Sequence, residues 1–493
     1  MPLSGVMLDS QAEEQRVSRL TASARTGTHA LFATRLLSVV LTFASITLLA
    51  RLVPPRDFGI WAMAGLALGL VTIVRELGLV SSIVQAPTLT PRQQDAYFWT
   101  SVAISLACAL ALALAAPLLG RIYEAPLLVP VVWGCSLSVA LSGMGLVHVA
   151  LLRRQLLYGR LAVMEAGAMV FGLVVGVLAA WRWHSVWALL VGHLASTAWM
   201  CAAALLLCPW VPGRPRRGAD INLGFSFELM SYNLLTYAGN NVGLAAGYRF
   251  GHAELGFFNR GQQLYNLAHF SLLTPITEMG LALLCRLKSD ASYIRAYICI
   301  ARRMAVLFIP YAFVLPFVSS DLILALLGPN WSPASPILAW FAPAVLAQAL
   351  STVLAQLLTS QERGEALRRW AVANLVFRAA GAIAGSHYGI VGMAAGFSIA
   401  SLLATAPMFW VAGQRGPVHF RHQAEALWHG VLLGLVSAAA AAAALASADA
   451  LALPAGWWRL AYIGGAAALA WGAVCLAVRP ARDALTGRSL THA

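Results

Sequence analysis

The chain has 493 residues, of which 60% are hydrophobic and 11% are charged. A soluble domain carries about 25% charged residues, and its large surface could not hide this much apolar area. The composition therefore excludes an ordinary soluble protein and predicts an integral membrane protein. The net charge of +14 does not indicate a nucleic-acid partner, because the basic residues stand in short clusters between apolar runs.

A helix that spans a membrane needs roughly 20 mainly apolar residues. Such runs predict an all-α integral membrane fold with about 14 transmembrane helices. The predicted spans are 30–51, 58–77, 96–118, 127–149, 161–181, 185–207, 223–247, 261–285, 298–319, 337–360, 370–386, 390–412, 425–447 and 457–478. Residues 1–29 mix acidic and basic side chains without an apolar stretch, which predicts a cytoplasmic tail and no signal peptide.

The basic residues predict how the helices are oriented, because Lys and Arg accumulate in cytoplasmic loops. With the N-terminus inside, most of the 33 basic residues fall in cytoplasmic tails and loops. Arg260 is placed in an outer loop, and Arg35, Arg75 and Arg378 fall within spans. The alternation continues to the end of the chain, so both termini are predicted to be cytoplasmic.

The chain repeats itself. The stretch 51–61, after the first span, resembles 249–258, after the seventh, and 119–126 resembles 327–336 in the same way. Because six is an even number, two six-helix halves enter the membrane in the same sense and form a parallel repeat. The predicted organisation is a tail (1–29), an N-lobe (30–208), a cytoplasmic linker (209–222), a C-lobe (223–412), a cytoplasmic loop (413–424), two accessory helices (425–478) and a second tail (479–493).

Polar residues inside membrane helices are costly and are therefore functional candidates. In the first, seventh, eighth and tenth spans they recur at steps of three and four, which places them on one face of each helix. These stripes predict a hydrophilic cavity lined by helices 1, 2, 7 and 8. The candidate cavity residues are Arg35, Asn233, Tyr237, Asn240, Asn241, Gln262, Asn266, His269 and Arg378, and the stripe of the tenth span is Gln348, Thr352 and Gln356.

Each stripe also has a structural alternative, because small polar residues hold membrane helices together. Arg75 and Glu165 lie near the cytoplasmic boundary, where snorkelling explains the Arg. Arg378 and Glu278 lie deeper, and they either form a structural ion pair or line the cavity. Glu278 and Glu165 are the candidates for ion coupling.

Several kinds of chemistry are not indicated by the sequence. It contains no G-x-x-x-x-G-K-[ST] loop for ATP, and no H-E-x-x-H or G-x-S-x-G motif. We therefore expect a transporter and not an enzyme, with no catalytic residue, metal or cofactor. Energy would come from a gradient or from consumption of the product outside.

Short motifs along residues 30–412 carry a resemblance to a known family. They are Ala50 to Gly59, Glu76 to Leu79, Gln85, Leu89, Thr90, Phe98, Trp99, Leu151 to Arg154, Arg160, Leu161, Glu165 and Leu326 to Pro336. In this order and spacing the chain resembles the Wzx-type polysaccharide transporters, or flippases, of the multidrug/oligosaccharidyl-lipid/polysaccharide (MOP) exporter superfamily. The pattern is closest to members that serve exopolysaccharides such as colanic acid, succinoglycan or xanthan.

The resemblance implies two six-helix lobes, as in MATE transporters, around a cavity that opens to either side in turn. The implied cargo is an undecaprenyl-pyrophosphate-linked oligosaccharide repeat unit, moved outward across a bacterial inner membrane. The implied partners are this lipid-linked substrate, membrane lipids, and the polymerase and chain-length or export proteins of the same pathway.

The sequence departs from the family at one place. Members often carry Arg, Asp and further Asn in the seventh helix, where this chain has 240–244 as Asn-Asn-Val-Gly-Leu. Three alternatives stay open: a MATE-type drug or cation antiporter, which would favour acidic cavity residues, a peptidoglycan-precursor flippase, and a membrane polysaccharide polymerase.

Overall fold

The computed structural model describes residues 37–76, 79–86, 89–214, 224–268, 277, 280–281, 283–285, 287 and 289–478. These residues form α-helices and two short 3₁₀ helices, Gly247–Phe250 and Pro329–Trp331. Within this described part, ten helical segments are long and apolar enough to cross a membrane. The predicted all-α integral membrane fold is confirmed.

The helices follow one another with short connections. The first seven are α1 Leu37–Leu52, α2 Pro55–Glu76, α3 Leu79–Gln85, α4 Pro91–Ile122, α5 Leu128–Arg154, α6 Tyr158–Trp183 and α7 Val186–Leu207. The others are α8 Gly224–Ala246, α9 His252–Ala268, α10 Asp290–Leu326, α11 Ala334–Trp340, α12 Ala342–Ser360, α13 Gly364–Ser386, α14 Gly389–Leu403, α15 Thr405–Gln414, α16 Phe420–Ala450 and α17 Trp457–Ala477.

Four predicted spans fall on helices that are short or polar, namely α1, α8, α9 and α13. The eighth span was expected at 261–285, but α9 begins at His252. Hydropathy misplaces this start because the first half of α9 carries the half-buried His252 and Glu254 and the buried Arg260. Arg260, assigned above to an outer loop, therefore lies in the middle of a helix, and that assignment was wrong.

Contacts between residues divide the described chain into two compact units. Unit 1 comprises residues 37–52 and 67–231, and unit 2 comprises 53–66 and 232–478. The core of unit 1 includes Leu79, Val147 and Met164, and that of unit 2 includes Met304 and Leu354. The last two helices, α16 and α17, belong to unit 2, where α16 packs closely against α10.

Glycines bring two pairs of neighbouring helices into backbone contact. Between α13 and α14, a Cβ atom added to Gly396 would lie 2.1 Å from the carbonyl oxygen of Gly381. Between α6 and α7, a Cβ atom on Gly192 would lie 3.0 Å from the carbonyl oxygen of Gly172. Small residues permit such close approach of membrane helices. The two pairs stand at the fifth and sixth positions of the two predicted six-helix halves.

Two tryptophans bond carbonyl groups that prolines leave free. A proline inside a helix removes the hydrogen bond to the carbonyl four residues earlier. Pro310 of α10 thereby frees the carbonyl of Val306, and the Trp471 indole donates to it at 3.0 Å.

The same arrangement occurs in unit 1. Pro117 of α4 frees the carbonyl of Ala113, and the Trp133 indole donates to it at 3.2 Å. In both units a side chain from another helix replaces the bond that lipid could not supply.

Arginines at the starts of two helices, Arg160 in α6 and Arg363 just before α13, bond the carboxyl ends of other helices. The guanidinium of Arg160 donates to the carbonyl of Leu207, the last residue of α7, at 2.8 Å. Arg363 donates to the carbonyl of Val411, in the last turns of α15, at 2.7 Å. Cations at helix C-termini satisfy free carbonyls and favour the helix dipole. These basic residues thus stabilise helix ends in addition to marking the loops.

Candidate functional site

A polar cavity lies within unit 2, between α8, α12 and α13. Its volume is about 100 Å³, and its polar lining residues are Thr236, Asn240, Gln348, Ser351, Thr352, Trp370, Asn374 and Arg378. Thr236 and Asn240 share a face of α8 because they are four residues apart, and so do Asn374 and Arg378 on α13. The helical period therefore brings amides, hydroxyls and one guanidinium to the same cavity.

Arg378 is the charged group of this cavity, and it is 4% exposed. Its Nη1 donates to Oδ1 of Asn240 at 2.5 Å, and its guanidinium carbon lies 5.2 Å from the centre of the Phe397 ring. Its Nε has no hydrogen-bond partner. No Asp or Glu of the described chain forms an ion pair with it. An arginine remains protonated in proteins, so the cavity contains a buried positive charge.

A side chain of α9 also bonds to Asn240. The amide of Gln262, which is 6% exposed, donates to the backbone carbonyl of Asn240 at 2.7 Å. The hydroxyl of Tyr265 interacts with the side chains of Gln262 and Asn266. The structure thus brings together four of the predicted cavity residues, Asn240, Gln262, Asn266 and Arg378.

The other candidates on α8 point elsewhere. The hydroxyl of Tyr237 donates to the carbonyl of Leu66 at 2.9 Å, and the amide of Asn241 donates to the carbonyl of Tyr237 at 2.9 Å. Asn233 is exposed. These three residues belong to the predicted stripe, but none of them lines the cavity in unit 2.

Arg35, His269 and Glu278 lie outside the described residues. Glu165 is described, and its carboxylate lies 3.8 Å from Arg153 in a half-exposed ion pair. A pair with side chains 40% and 46% exposed is a weak, solvent-screened contact. Glu165 therefore remains a prediction for ion coupling without support from its surroundings.

Arg75 was expected to snorkel toward water, but this expectation was wrong. It is 8% exposed, and its Nη1 donates to the hydroxyl of Ser142 on α5. Its guanidinium also lies 3.6 Å from the carboxylate of Glu76. Because α5 presents a hydroxyl within reach, the side chain remains inside unit 1.

The sequence analysis missed Arg260 as a buried cation. Its guanidinium lies 3.8 Å from the centre of the Phe58 ring, and it donates to the side chain of Gln263. It is 6% exposed. The steps from Leu255 to Phe258 and from Phe258 to Gln262 are three and four residues, and this helical spacing could have placed Arg260 within a helix.

Asn374 and Thr236 were also missed. Asn374 is 9% exposed, and neither its Oδ1 nor the Oγ1 of Thr236 has a hydrogen-bond partner. The signal that could have found Asn374 is its position one turn before Arg378 on the same face. Buried polar atoms are normally paired, so these two oxygens are available to a polar group that enters the cavity.

Comparison with known proteins gives one family and several relatives. Residues 48–336 match the family described as "Polysaccharide biosynthesis protein". The lipopolysaccharide biosynthesis protein WzxC of Escherichia coli (strain K12) is 20% identical over 382 residues, which cover 75% of this chain and 77% of WzxC. The succinoglycan biosynthesis transport protein ExoT of Rhizobium meliloti (strain 1021) is 29% identical over 149 residues, 30% of each chain.

Solved structures show a similar fold. The lipid II flippase MurJ, in an inward closed conformation, has a TM-score of 0.71 at 12% identity and covers 91% of this chain and 97% of its own. An inward-facing multidrug resistance MATE family transporter of the MOP superfamily has a TM-score of 0.55 at 14% identity. The aligned region covers 77% of this chain and 97% of that transporter.

Proposed function

Because this chain belongs to the polysaccharide biosynthesis protein family, matched over residues 48–336, we propose that it flips undecaprenyl-pyrophosphate-linked oligosaccharide repeat units. The proposed direction is from the cytoplasmic to the outer leaflet, by alternating access, for exopolysaccharide or other surface polysaccharide synthesis. The predicted resemblance to the MOP superfamily is confirmed, as is the expectation of a transporter and not an enzyme. The chain is a multi-pass inner-membrane protein.

The observation that carries the proposal is the buried guanidinium of Arg378 at the polar cavity between α8, α12 and α13, where it can bind a phosphate of the cargo. Moving many hydroxyls and a pyrophosphate through hydrocarbon without compensation is prohibitive. Amides and hydroxyls can replace water around a sugar, and a guanidinium can bind a phosphate oxygen through paired hydrogen bonds. The candidate residues of α8 and α9 are proposed to serve the sugar, and Arg35 and Arg378 the pyrophosphate.

The same lining argues against a cation antiporter. A cation antiporter would favour acidic cavity residues, whereas the charged residue in the described lining of this cavity is Arg378. A peptidoglycan-precursor flippase remains the alternative cargo class, since its substrate carries the same lipid pyrophosphate. The names of the two sequence relatives, one for lipopolysaccharide and one for succinoglycan, support the surface-polysaccharide cargo.

The orientation and the protein partners are also parts of this proposal. The basic loops support cytoplasmic termini through the positive-inside rule. A polymerase and chain-length or export proteins of the same pathway would use the product on the outer side. Consumption of the product on the outer side would then make outward transport favourable.

The test is a clean deletion in a strain without a second flippase gene. We expect the surface polysaccharide to be lost and lipid-linked repeat units to accumulate in the cytoplasmic leaflet. A plasmid copy of the unaltered chain should restore export. Normal polymer in the deletion strain would contradict the proposed function.

Variants in the same strain test which cations bind the cargo. Arg35→Ala should abolish most export and Arg35→Lys should retain part of it, with protein levels near normal by blot. Arg378→Gln should lower export more than Arg369→Gln, because Arg378 lines the cavity and the Arg369 side chain is 77% exposed. Full export from Arg35→Ala would end the phosphate role for that residue.

A further inference from the structure

We propose that the cavity around Arg378 binds one small anion, which is the counter-charge of this buried guanidinium. The bound group is either a free inorganic anion such as chloride or a single phosphate group, and both present the same chemistry to the site. If the anion is a free ion, the site is independent of the proposed flippase function.

The cavity holds a positive charge for which the described residues supply no counter-charge. Arg378 is 4% exposed, and its described partners, the Asn240 amide oxygen and the Phe397 ring, are neutral. Neutral dipoles reduce the cost of a buried charge but do not cancel it. An anion in the cavity would cancel it with opposite charge at close range.

Some polar atoms of the cavity-lining residues have no hydrogen-bond partner. Arg378 Nε donates to nothing, and Thr236 carries a hydroxyl without a partner. Both are donors, and both residues line the cavity. Asn374 also lines the cavity, but its unpartnered atom is the amide oxygen, which is an acceptor. Buried polar atoms are normally satisfied, so the two open donors beside a positive charge suit an acceptor ligand.

The volume of the cavity limits the size of the group that it can hold. The cavity volume is about 100 Å³, whereas sites for drug-sized molecules have about 300–1,000 Å³. A sugar repeat unit does not fit such a space. A halide, a single phosphate group or a few waters do, since each water has a share of about 30 Å³ in the liquid.

Equilibrium binding of ³⁶Cl⁻ to the purified full-length protein in detergent tests the proposal. We expect saturable binding of one chloride per chain, weakened at least tenfold by Arg378→Gln. Arg369→Gln is the matched control on the same helix, because its side chain is 77% exposed and pairs with Glu365 at 2.6 Å. This control should bind chloride like the unaltered protein.

A second variant guards against a folding defect in Arg378→Gln. Thr236→Val removes a donor of the wall and keeps the shape of the side chain, and we expect it to weaken binding while Thr359→Val, which is exposed, leaves it unchanged. Competition by inorganic pyrophosphate distinguishes the two sources. If pyrophosphate displaces ³⁶Cl⁻ at a lower concentration than unlabelled chloride does, the phosphate of a cargo is the preferred anion.

Three results would overturn the proposal. The first is the absence of binding of both ³⁶Cl⁻ and ³²P-labelled pyrophosphate, which would mean that the cavity holds only water. The second is unchanged binding in Arg378→Gln. The third is chloride binding that appears only after Glu278→Gln, because the carboxylate of Glu278 would then be the counter-charge. Loss of export in the deletion strain bears on none of these, so the two proposals fail separately.

Discussion

The guanidinium of Arg378 donates to the side-chain amide of Asn240, 138 residues earlier in the chain, at a distance of 2.5 Å. This bond joins α13 to α8 at the wall of the polar cavity. We predict that Asn240→Ala lowers the free energy of unfolding by about 1.5–3 kcal/mol, because it leaves a donor of a buried charged group unsatisfied.

The melting temperature of the purified protein in detergent measures this effect. Asn241→Ala is the matched control, since the Asn241 amide donates only to a carbonyl of its own helix in the described contacts. Its cost should be about 1 kcal/mol or less. Equal losses of stability in the two variants would show that the interhelical bond stabilises the protein no more than a bond within one helix.

The pairing of Trp471 with the carbonyl freed by Pro310 predicts a coupled pair of substitutions. Trp471→Phe should cost about 1–3 kcal/mol, because the carbonyl of Val306 loses its donor. In a Pro310→Ala background the new backbone N–H bonds that carbonyl, so the same Trp471→Phe change should cost less. Thermal melts of the four proteins give the coupling energy.

Trp458→Phe serves as the control for that cycle, because Trp458 is 75% exposed at the start of α17. It should change the melting temperature little in either background. A coupling energy near zero would contradict the claim that the indole substitutes for the missing helix bond.

The glycine contact between α13 and α14 predicts that a larger residue at this contact destabilises the packing of the two helices. A Cβ atom on Gly396 would lie 2.1 Å from the carbonyl oxygen of Gly381, so even Gly396→Ala must push the helices apart. We expect a loss of about 1–3 kcal/mol or more, visible as less monodisperse protein in fluorescence-detected size-exclusion chromatography. Gly464→Ala in α17 should be neutral or slightly stabilising, since nothing lies within 4 Å of its added Cβ.

Asp321, near the end of α10, and Asp449 both lie near Arg459, and we expect their substitutions to change stability by unequal amounts. It is 4% exposed, accepts from the backbone N–H of Gly456 at 3.0 Å, and lies 3.4 Å from the guanidinium of Arg459. Asp321→Ala should cost about 3 kcal/mol by breaking a buried pair. Asp449→Ala should cost less than about 1 kcal/mol, because the Asp449 side chain is 60% exposed.

Limited proteolysis of the connection between α16 and α17 reports on this contact. Faster cleavage in Asp321→Ala than in Asp449→Ala is expected. The reverse order would mean that the exposed pair between Arg459 and Asp449 fixes the hairpin.

Apolar runs predicted the helices well, because a segment that faces lipid must be apolar along most of its length. The prediction failed in the first half of α9, where His252 is half-buried and Arg260 is buried, because polar residues that protein covers do not obey the hydropathy rule. The helical spacing of polar residues identified Asn240, and the depth of a charge within its span identified Arg378, but neither signal could show that the two side chains meet. Helical spacing also could not show that Tyr237 bonds the backbone of Leu66 while its neighbours on α8 line the cavity.

The glycine contacts join helices that are adjacent in the sequence, and this has a consequence for synthesis. The second helix of each pair, α7 or α14, leaves the ribosome directly after the first, so each contact has a short loop to close and a low contact order. The bond between Asn240 and Arg378 must wait until more than a hundred further residues have been translated. The two glycine-lined hairpins can therefore enter the lipid as finished pairs, while the polar residues of α8 remain without their guanidinium partner until α13 arrives.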